Sequence, residues 1–239
     1  MSRLRFTKEG PAIWSSHLDL MRALMRCFRR AGVSLKHSQG YTPHPELSIL
    51  MPLSVGVESC CELAEFTLAE DCKLPIETLA ARMAPIMPAG LVALESYDGG
   101  LKAGKLAWLR ASLSLYYDRG IPAAAEDSLR ALFARSSLVV EKHSKKGPVE
   151  LDIAPMIREL RLTGPAALPP QGATDLEALP EAAAPDSVLT LEALVAAQNP
   201  TLNPLLLAAA IETHLPACKP DFVRCRRLEL YDEEMNVFR

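Results

Sequence analysis

The chain has 239 residues, of which 49% are hydrophobic and 23% are charged, and its formal net charge is −3. This composition is typical of globular proteins, and the length suits one large domain or two of ordinary size. It excludes a disordered chain, and no apolar run approaches the ~18 residues that a membrane-spanning helix needs. The small net charge gives no overall basic field that would by itself indicate nucleic-acid binding.

The distribution of charge is more informative than its sum. Residues 1–46 contain 8 basic and 3 acidic side chains, and residues 47–100 contain 2 and 8. Residues 101–147 contain 9 basic and 4 acidic side chains, and residues 148–200 again contain 2 basic and 8 acidic ones. A basic segment followed by an acidic one therefore occurs twice, which favours a tandem duplication.

The first half predicts a strand, a helix, two strands, a helix and a strand. "RLRFTKEGPAIWSS" supplies the first strand, and Ser16 with Asp19 three residues later has the spacing of a helix-capping box. The helix ends at Gly32, and its apolar face is predicted to contain Leu18, Met21, Leu24 or Met25, Phe28 and Ala31. The later elements are predicted from "LSILMPLSVGVE", "CELAEFTLA", "PIETLAARMAPIMP", a helix beginning at Pro75, and "GLVALESYD".

The second half predicts the same order. Its elements are the strand "LAWLRASLSLYYD", the helix "IPAAAEDSLRALFARS", the strand "LVVEKHS", a turn "KKG" and "PVELDIAPMIREL", then "SVLTLEAL", the helix "NPLLLAAAIETHL" and the strand "FVRCRRLELYD". Residues 164–186 contain five prolines without an apolar period, so they are predicted to be a Pro/Ala-rich insertion.

We therefore expect an α+β protein made of two ferredoxin-like (βαββαβ) halves, each an antiparallel sheet backed by two helices. The predicted domains are residues 1–102 and 103–239. A short repeated motif supports the duplication, because "LKHSQGYTPHPELSI" and "EKHSKKGPVELDI" both place Lys-His-Ser after the first helix of their half.

Two neighbouring groups in the first half could contact a nucleic acid. Arg22, Arg26 and Arg29 recur on the polar side of the first helix, where they could bind successive phosphates or simply form a solvated face. The stretch "KHSQGYTPHP" that follows cannot be a regular helix, because Gly and Pro interrupt it. In this stretch Lys36, His37, Tyr41 and His44 supply donors and a stacking ring, although the segment could also be only a stiff turn.

The second-half turn adds the basic residues Lys142, Lys145 and Lys146, which could contact nucleic acid or merely protect an exposed hairpin. None of the six cysteines has the spacing of a metal or cluster ligand, and the N-terminus does not have the pattern of a secretory signal. We therefore expect a cytoplasmic protein with reduced thiols and no metal site. No cofactor motif, catalytic motif or small-molecule site is evident.

"SSHLDLMRALMRCFRRAG", "SQGYTPHPELSILMPLSVGVES" and "EKHSKKGPVELDIAPMI" together resemble the radical-SAM-linked protein family, a bacterial domain of unknown function. The resemblance covers nearly the whole chain and is most specific over residues 3–58. It implies a free-standing or fused companion of a B12-binding-type radical SAM protein, often encoded near ribosome or RNA-processing functions. The chain departs from the family pattern at Ala154, where a basic residue is expected, and in "TLNPLLL", which lacks an Arg.

The leading hypothesis is an RNA-binding accessory protein that presents a substrate, rRNA or tRNA, to a separate radical SAM partner. One alternative is a protein–protein adaptor for that partner without RNA contact, using the acidic segments 47–100 and 148–200. Another is a metal-independent RNA-processing or RNA-modifying enzyme with His37 or His44 as general acid or base. The accessory role is favoured over an enzymatic one because no catalytic constellation stands out.

Overall fold

A computed structural model describes residues 1–144, 147–164 and 187–239. Lys145, Lys146 and all of the predicted insertion except Gly164 lie outside the described residues. The chain forms two compact units, one of residues 1–106 together with Asn236–Arg239 and one of Ala107–Met235.

The first unit contains one antiparallel sheet and two α-helices. The strands are β1 (Ser2–Lys8), β2 (Leu47–Leu50), β3 (Glu58–Phe66) and β4 (Leu91–Asp98), and the helices are α1 (His17–Arg30) and α2 (Leu79–Met83). The strands lie in the order β4-β1-β3-β2, and every pair is antiparallel.

The core of the first unit contains apolar side chains from the sheet and from both helices. Leu4 and Phe6 of β1 are fully buried, and the ring centroids of Phe28 in α1 and Phe66 in β3 are 4.8 Å apart. The predicted apolar face of α1 was wrong at Leu18, which is 63% exposed. The residues of α1 that are buried are Leu20, Leu24, Cys27 and Phe28.

The described residues of the second unit form a four-stranded antiparallel sheet, a separate hairpin and two α-helices. Its elements are β5 (Trp108–Tyr116), α3 (Ala125–Phe133), β6 (Val139–Ser144), β7 (Gly147–Asp152), β8 (Ile157–Thr163), β9 (Val188–Ala196), α4 (Leu205–His214) and β10 (Phe222–Tyr231). The sheet order is β10-β5-β9-β8, while β6 and β7, among the residues that the structure describes, pair with each other and with no further strand.

This hairpin corrects the predicted path of the second unit. The stretch predicted as one continuation, "PVELDIAPMIREL", divides into β7, a 3-10 turn at Ala154–Met156 and β8. The division occurs at Asp152, whose carboxylate accepts the backbone N–H groups of Leu138 and Ala154. These bonds, above all the one from Leu138, lower the pKa of Asp152. The four-stranded sheet therefore contains β8, and "LVVEKHS" forms the hairpin.

Two first-unit elements are shorter than predicted. β2 ends at Leu50, because Met51 has a φ of +48° and Pro52 has no N–H to donate to a sheet. α2 has five residues with a 3-10 turn on either side, and Pro85 prevents its continuation. The described residues form an α+β fold with antiparallel sheets and four α-helices.

Candidate nucleic-acid interface

α1 presents its arginines to solvent because its start and its buried side are both well defined. Ser16 caps the helix, since its hydroxyl accepts the Asp19 N–H at 3.2 Å and donates to the Asp19 carboxylate at 2.6 Å. With the apolar side of α1 packed on the core, Arg22, Arg26 and Arg29 are all exposed, as predicted. We call these three residues the arginine face. Neighbours at spacings of three and four lie about 5–6 Å apart on a helix surface, so the face is a continuous basic strip.

The arginines differ in how strongly they are already paired. Arg22 lies 3.4 Å from the Asp19 carboxylate, and both side chains are about 60% exposed. The hydrogen bond from Ser16 is the main reason why the pKa of Asp19 is lowered, and Arg22 contributes less. Arg26 and Arg29 form no ion pair with any described residue. A phosphate would therefore meet two unpaired guanidinium groups and one that is weakly paired.

The segment from Lys36 to Glu46, the 36–46 loop, is held at its base by backbone hydrogen bonds. The Lys36 N–H donates to the Thr67 carbonyl at 2.8 Å, and the Glu46 N–H donates to the Lys36 carbonyl at 2.7 Å. Further along, the Ser38 N–H donates to the His44 carbonyl at 2.9 Å. These bonds close a narrow irregular hairpin, in agreement with the prediction that the stretch is not helical.

Both histidines of the 36–46 loop use Nδ1 within the loop. His37 Nδ1 lies 3.0 Å from the Leu35 carbonyl oxygen, which can only accept, so Nδ1 carries the proton in that contact. His44 Nδ1 lies 2.9 Å from the Ser38 hydroxyl, which also accepts the His44 N–H at 3.2 Å. Both residues are exposed, and Nε2 is the ring nitrogen that takes no part in these contacts.

The tip of the 36–46 loop exposes an aromatic ring. Tyr41 has a relative exposure of 105%, so its ring faces solvent on both sides. The neighbouring Gly40 has a φ of +151°, a conformation that residues with side chains rarely adopt. Lys36 stands at the base of the loop, with its Nζ 3.9 Å from the Glu46 carboxylate, so its charge is partly balanced.

Of the second-half candidates, the structure describes Lys142, which lies on the β6–β7 hairpin. Lys142 is exposed on β6 and is opposite Val149 in the register of the hairpin. Lys145 and Lys146 lie outside the described residues. Lys142 belongs to the second unit, whereas the arginine face and the 36–46 loop belong to the first.

Sequence reasoning missed one group in the first unit. Lys73 and Arg82 line the same cavity, which lies just beyond the end of α1. The residues are nine positions apart and carry no motif. The only sequence signal is that they are the two basic residues of the otherwise acidic segment 47–100.

The part of the chain that the structure describes contains neither a cluster of metal-ligating side chains nor a helix that could span a membrane. Within residues 1–144, 147–164 and 187–239, no three His, Cys, Asp or Glu side chains converge in a way that could hold a metal ion. No helix formed by these residues is long and apolar enough to cross a membrane.

These features define an α+β protein with an exposed arginine face on its first helix. Within that class, the chain belongs to a family described as uncharacterized proteins conserved in bacteria (DUF2344), whose family model matches residues 2–204. The comparison with curated proteins gives no match. The family description assigns no activity and mentions no radical SAM protein.

Proposed function

We propose that this protein binds RNA through the arginine face and the 36–46 loop. The observation that carries the proposal is that Arg26 and Arg29, on an exposed helix face, form no ion pair with any residue that the structure describes. Cations held in a row without internal partners are suited to successive phosphates, which provide most of the affinity of nucleic-acid binding.

The 36–46 loop adds a group that prefers unpaired bases. A tyrosine ring that is open on both sides can stack on a base, and stacking on aromatic rings is the usual way in which proteins hold single-stranded RNA. The hydrogen bonds at the base of the loop reduce the entropy that would be lost when such a complex forms. We therefore assign single-stranded or looped RNA, as found in rRNA and tRNA, as the substrate that the protein presents to a separate radical SAM protein in the cytoplasm. The link to this partner is supported only by the sequence resemblance.

The fold that we propose for both units is ferredoxin-like. In that fold the fourth strand pairs with the first, and the third lies between the first and the second. The orders β4-β1-β3-β2 and β10-β5-β9-β8 both agree with this arrangement once the β6–β7 hairpin is treated as an insertion. Lys-His-Ser enters a hairpin in each unit, with His37 opposite Pro45 and His143 opposite Pro148, which supports a duplication. Because the fold alone implies no activity, the RNA proposal does not depend on it.

The decisive experiment changes the arginine face. We expect Arg22→Glu, Arg26→Glu and Arg29→Glu together to abolish binding to a single-stranded RNA 20-mer, measured by fluorescence anisotropy at low salt. The matched control reverses the charge of three exposed basic residues elsewhere, by changing Lys102, Lys105 and Arg119 to Glu. Its affinity for the RNA should stay within a few-fold of the wild-type affinity. If the control loses as much affinity as the arginine-face variant, binding is a general charge effect and the proposed site is wrong.

Neutral substitutions measure how many phosphates the face contacts. With all three arginines changed to Gln, the slope of log affinity against log salt should fall by about two units, since each phosphate contact on a single strand contributes about 0.7. The wild-type protein in the same assay separates the alternatives. No affinity at low salt would support the adaptor, and metal-independent cleavage that is lost in His37→Ala would support the enzyme.

A further inference from the structure

A cavity of about 350 Å³ lies beyond the C-terminal end of α1 in the first unit. Its walls come from the turn after α1 and from the segment that leads into α2, with Arg82 of α2 beside them. The lining residues are Gly32, Ser34, Asp71, Cys72, Lys73, Leu74, Pro75 and Arg82.

The cavity is lined by charged groups of both signs. Lys73, Arg82 and Asp71 are all exposed, and none forms an ion pair with a described residue. The two basic side chains are also the only ones between residues 47 and 100. A ligand that complements this arrangement carries strong negative charge at one point and a hydrogen-bond donor at another.

We propose that this cavity binds the phosphorylated terminal ribonucleotide of an RNA. The phosphate lies between Lys73 and Arg82, which donate charge-assisted hydrogen bonds to it. A ribose hydroxyl donates to the Asp71 carboxylate, and Leu74 and Pro75 give the nucleoside an apolar wall. This inference extends the proposed RNA binding, because Gly32 follows the last arginine of the arginine face by only three residues.

Oxygen count and size favour a terminal nucleotide over an internal one. Because Asp71 offsets one of the two cations, the formal charge of the lining is +1 and does not itself choose between a terminal phosphate and an internal phosphodiester. A terminal phosphate, however, presents three acceptor oxygens, enough to accept from both Lys73 and Arg82. A volume of about 350 Å³ is at the small end of ligand pockets and suits one nucleotide better than a longer stretch of chain. The carboxylate also gives a means of discriminating RNA from DNA, because only RNA presents a 2′-hydroxyl.

The first test compares three single-stranded RNA 10-mers of one sequence, with a 5′-phosphate, a 3′-phosphate or neither. We expect the full-length protein to bind one of the phosphorylated forms at least about tenfold more tightly than the unphosphorylated one, since even one of the two charge-assisted contacts contributes that much. In Lys73→Gln/Arg82→Gln the preference should disappear, whereas Lys102→Gln/Lys105→Gln should keep it. Equal binding of all three RNAs, or a preference that persists in Lys73→Gln/Arg82→Gln, overturns the inference.

The second test concerns the ribose. The preferred 10-mer is compared with the same RNA carrying a 2′-deoxy terminal nucleotide, and we expect the wild-type protein to prefer the ribose terminus. Asp71→Ala should abolish this preference, and Glu70→Ala, an exposed neighbour outside the cavity lining, should retain it. The side chains altered in the two tests are all exposed, so thermal unfolding of the variants should match that of the wild type. A ribose preference that survives in Asp71→Ala contradicts the assignment of Asp71.

Failure of this inference is distinguishable from failure of the proposed function. If RNA binding needs the arginine face but is indifferent to Lys73 and Arg82, the proposed function stands and the cavity assignment falls. If the protein binds adenosine 5′-monophosphate in a way that needs Lys73 and Arg82 but binds no RNA, the ligand is a free nucleotide. The latter result overturns both the proposed function and the RNA terminus assigned here.

Discussion

At the scale of single residues, exposure separates groups that stabilise the fold from groups that are available to a ligand. Tyr41 and Tyr117 show the two extremes, at 105% and 3% exposure. The ring of Tyr41 contributes no buried surface to the fold, whereas the Tyr117 hydroxyl donates to the Cys218 carbonyl at 3.0 Å inside the second unit. Substitutions at the two positions should therefore have opposite consequences for binding and stability.

Tyr41→Ala should weaken RNA binding and leave stability unchanged. We expect a loss of about 1–3 kcal/mol in binding free energy, the usual contribution of one aromatic–base stack. Tyr41→Phe should lose much less, because the ring face remains. The dependence of affinity on salt should keep its slope in both variants, since no phosphate contact is removed. Lower thermal stability combined with wild-type affinity in Tyr41→Ala would show that the loop is only a structural turn.

Tyr117 should make the stability of the second unit sensitive to alkaline pH. Burial raises the pKa of Tyr117 from its ordinary value of 10 to about 12. A raised pKa means that the folded state favours the neutral phenol, so this stabilisation is complete below pH 10 and is lost as the pH rises towards 12.

Tyr117→Phe should lower the free energy of unfolding by about 1 kcal/mol near neutral pH, because the Cys218 carbonyl loses its hydrogen-bond donor. The difference in unfolding free energy between wild type and variant should narrow between pH 10 and 12. Urea unfolding at a series of pH values measures this difference. A difference that stays constant up to pH 12 would contradict the assigned pKa.

At the scale of elements, the 36–46 loop shows how a segment without regular structure is kept in one shape. At its base, the Lys36 N–H is hydrogen-bonded to the carbonyl of Thr67, the residue that follows β3. Nearer the tip, Ser38 and His44 are hydrogen-bonded to each other across the loop. The Ser38 hydroxyl is the only side chain among the described residues that contacts both the backbone and the ring of His44. It therefore links the two sides of the loop just below the tip.

Ser38→Ala should loosen the loop without unfolding the first unit. We expect RNA affinity to fall by roughly 1 kcal/mol, because the two contacts to His44 are lost and the tip becomes less ordered. The control is Gln39→Ala, the next residue along, which is exposed. Anisotropy titrations measure affinity, and thermal melting should show no more than a small change in either variant. Equal affinities for the two variants would mean that the order of the loop is irrelevant to binding.

At the scale of the whole molecule, the end of the chain belongs to the first unit. Asn236–Arg239 are part of it, and Phe238 is completely buried there. The Arg3 guanidinium lies 5.0 Å from the centre of the Phe238 ring and 2.6 Å from the Glu65 carboxylate. Since Arg3 is itself almost fully buried, the aromatic ring and the ion pair compensate together for removing its charge from water.

Phe238→Ala should therefore destabilise the protein by about 3–5 kcal/mol, through the cavity that it creates and the loss of contact with Arg3. Val237→Ala is the matched control, because Val237 is 45% exposed and its truncation should change stability by less than about 0.5 kcal/mol. Urea unfolding followed by circular dichroism measures both. Similar small effects for the two variants would show that the last residues do not contribute to the first unit.

The sequence by itself determined the features that depend on local interactions. The start of α1 at Ser16, the exposure of its arginines and the irregular course of the 36–46 loop all follow from capping, helical spacing and the positions of Gly and Pro. These effects act over a few residues, so a one-dimensional pattern contains them. The α+β class followed from the same local patterns.

Only the tertiary structure decided which apolar groups were covered and which distant groups came together. Leu18 is spaced three and seven residues from Met21 and Met25, but the side of α1 that is covered is centred on Leu24. At 3.6 residues per turn Leu18 lies roughly 120° around the helix from Leu24, so it is exposed. Which side of an apolar-rich helix is buried depends on what packs against it. The hairpin status of "LVVEKHS" depends on strand pairing, which a pattern of alternation cannot specify. The cavity that contains Asp71, Lys73 and Arg82 next to Gly32 joins segments about 40 residues apart. Their proximity is set by the path of the chain around the core.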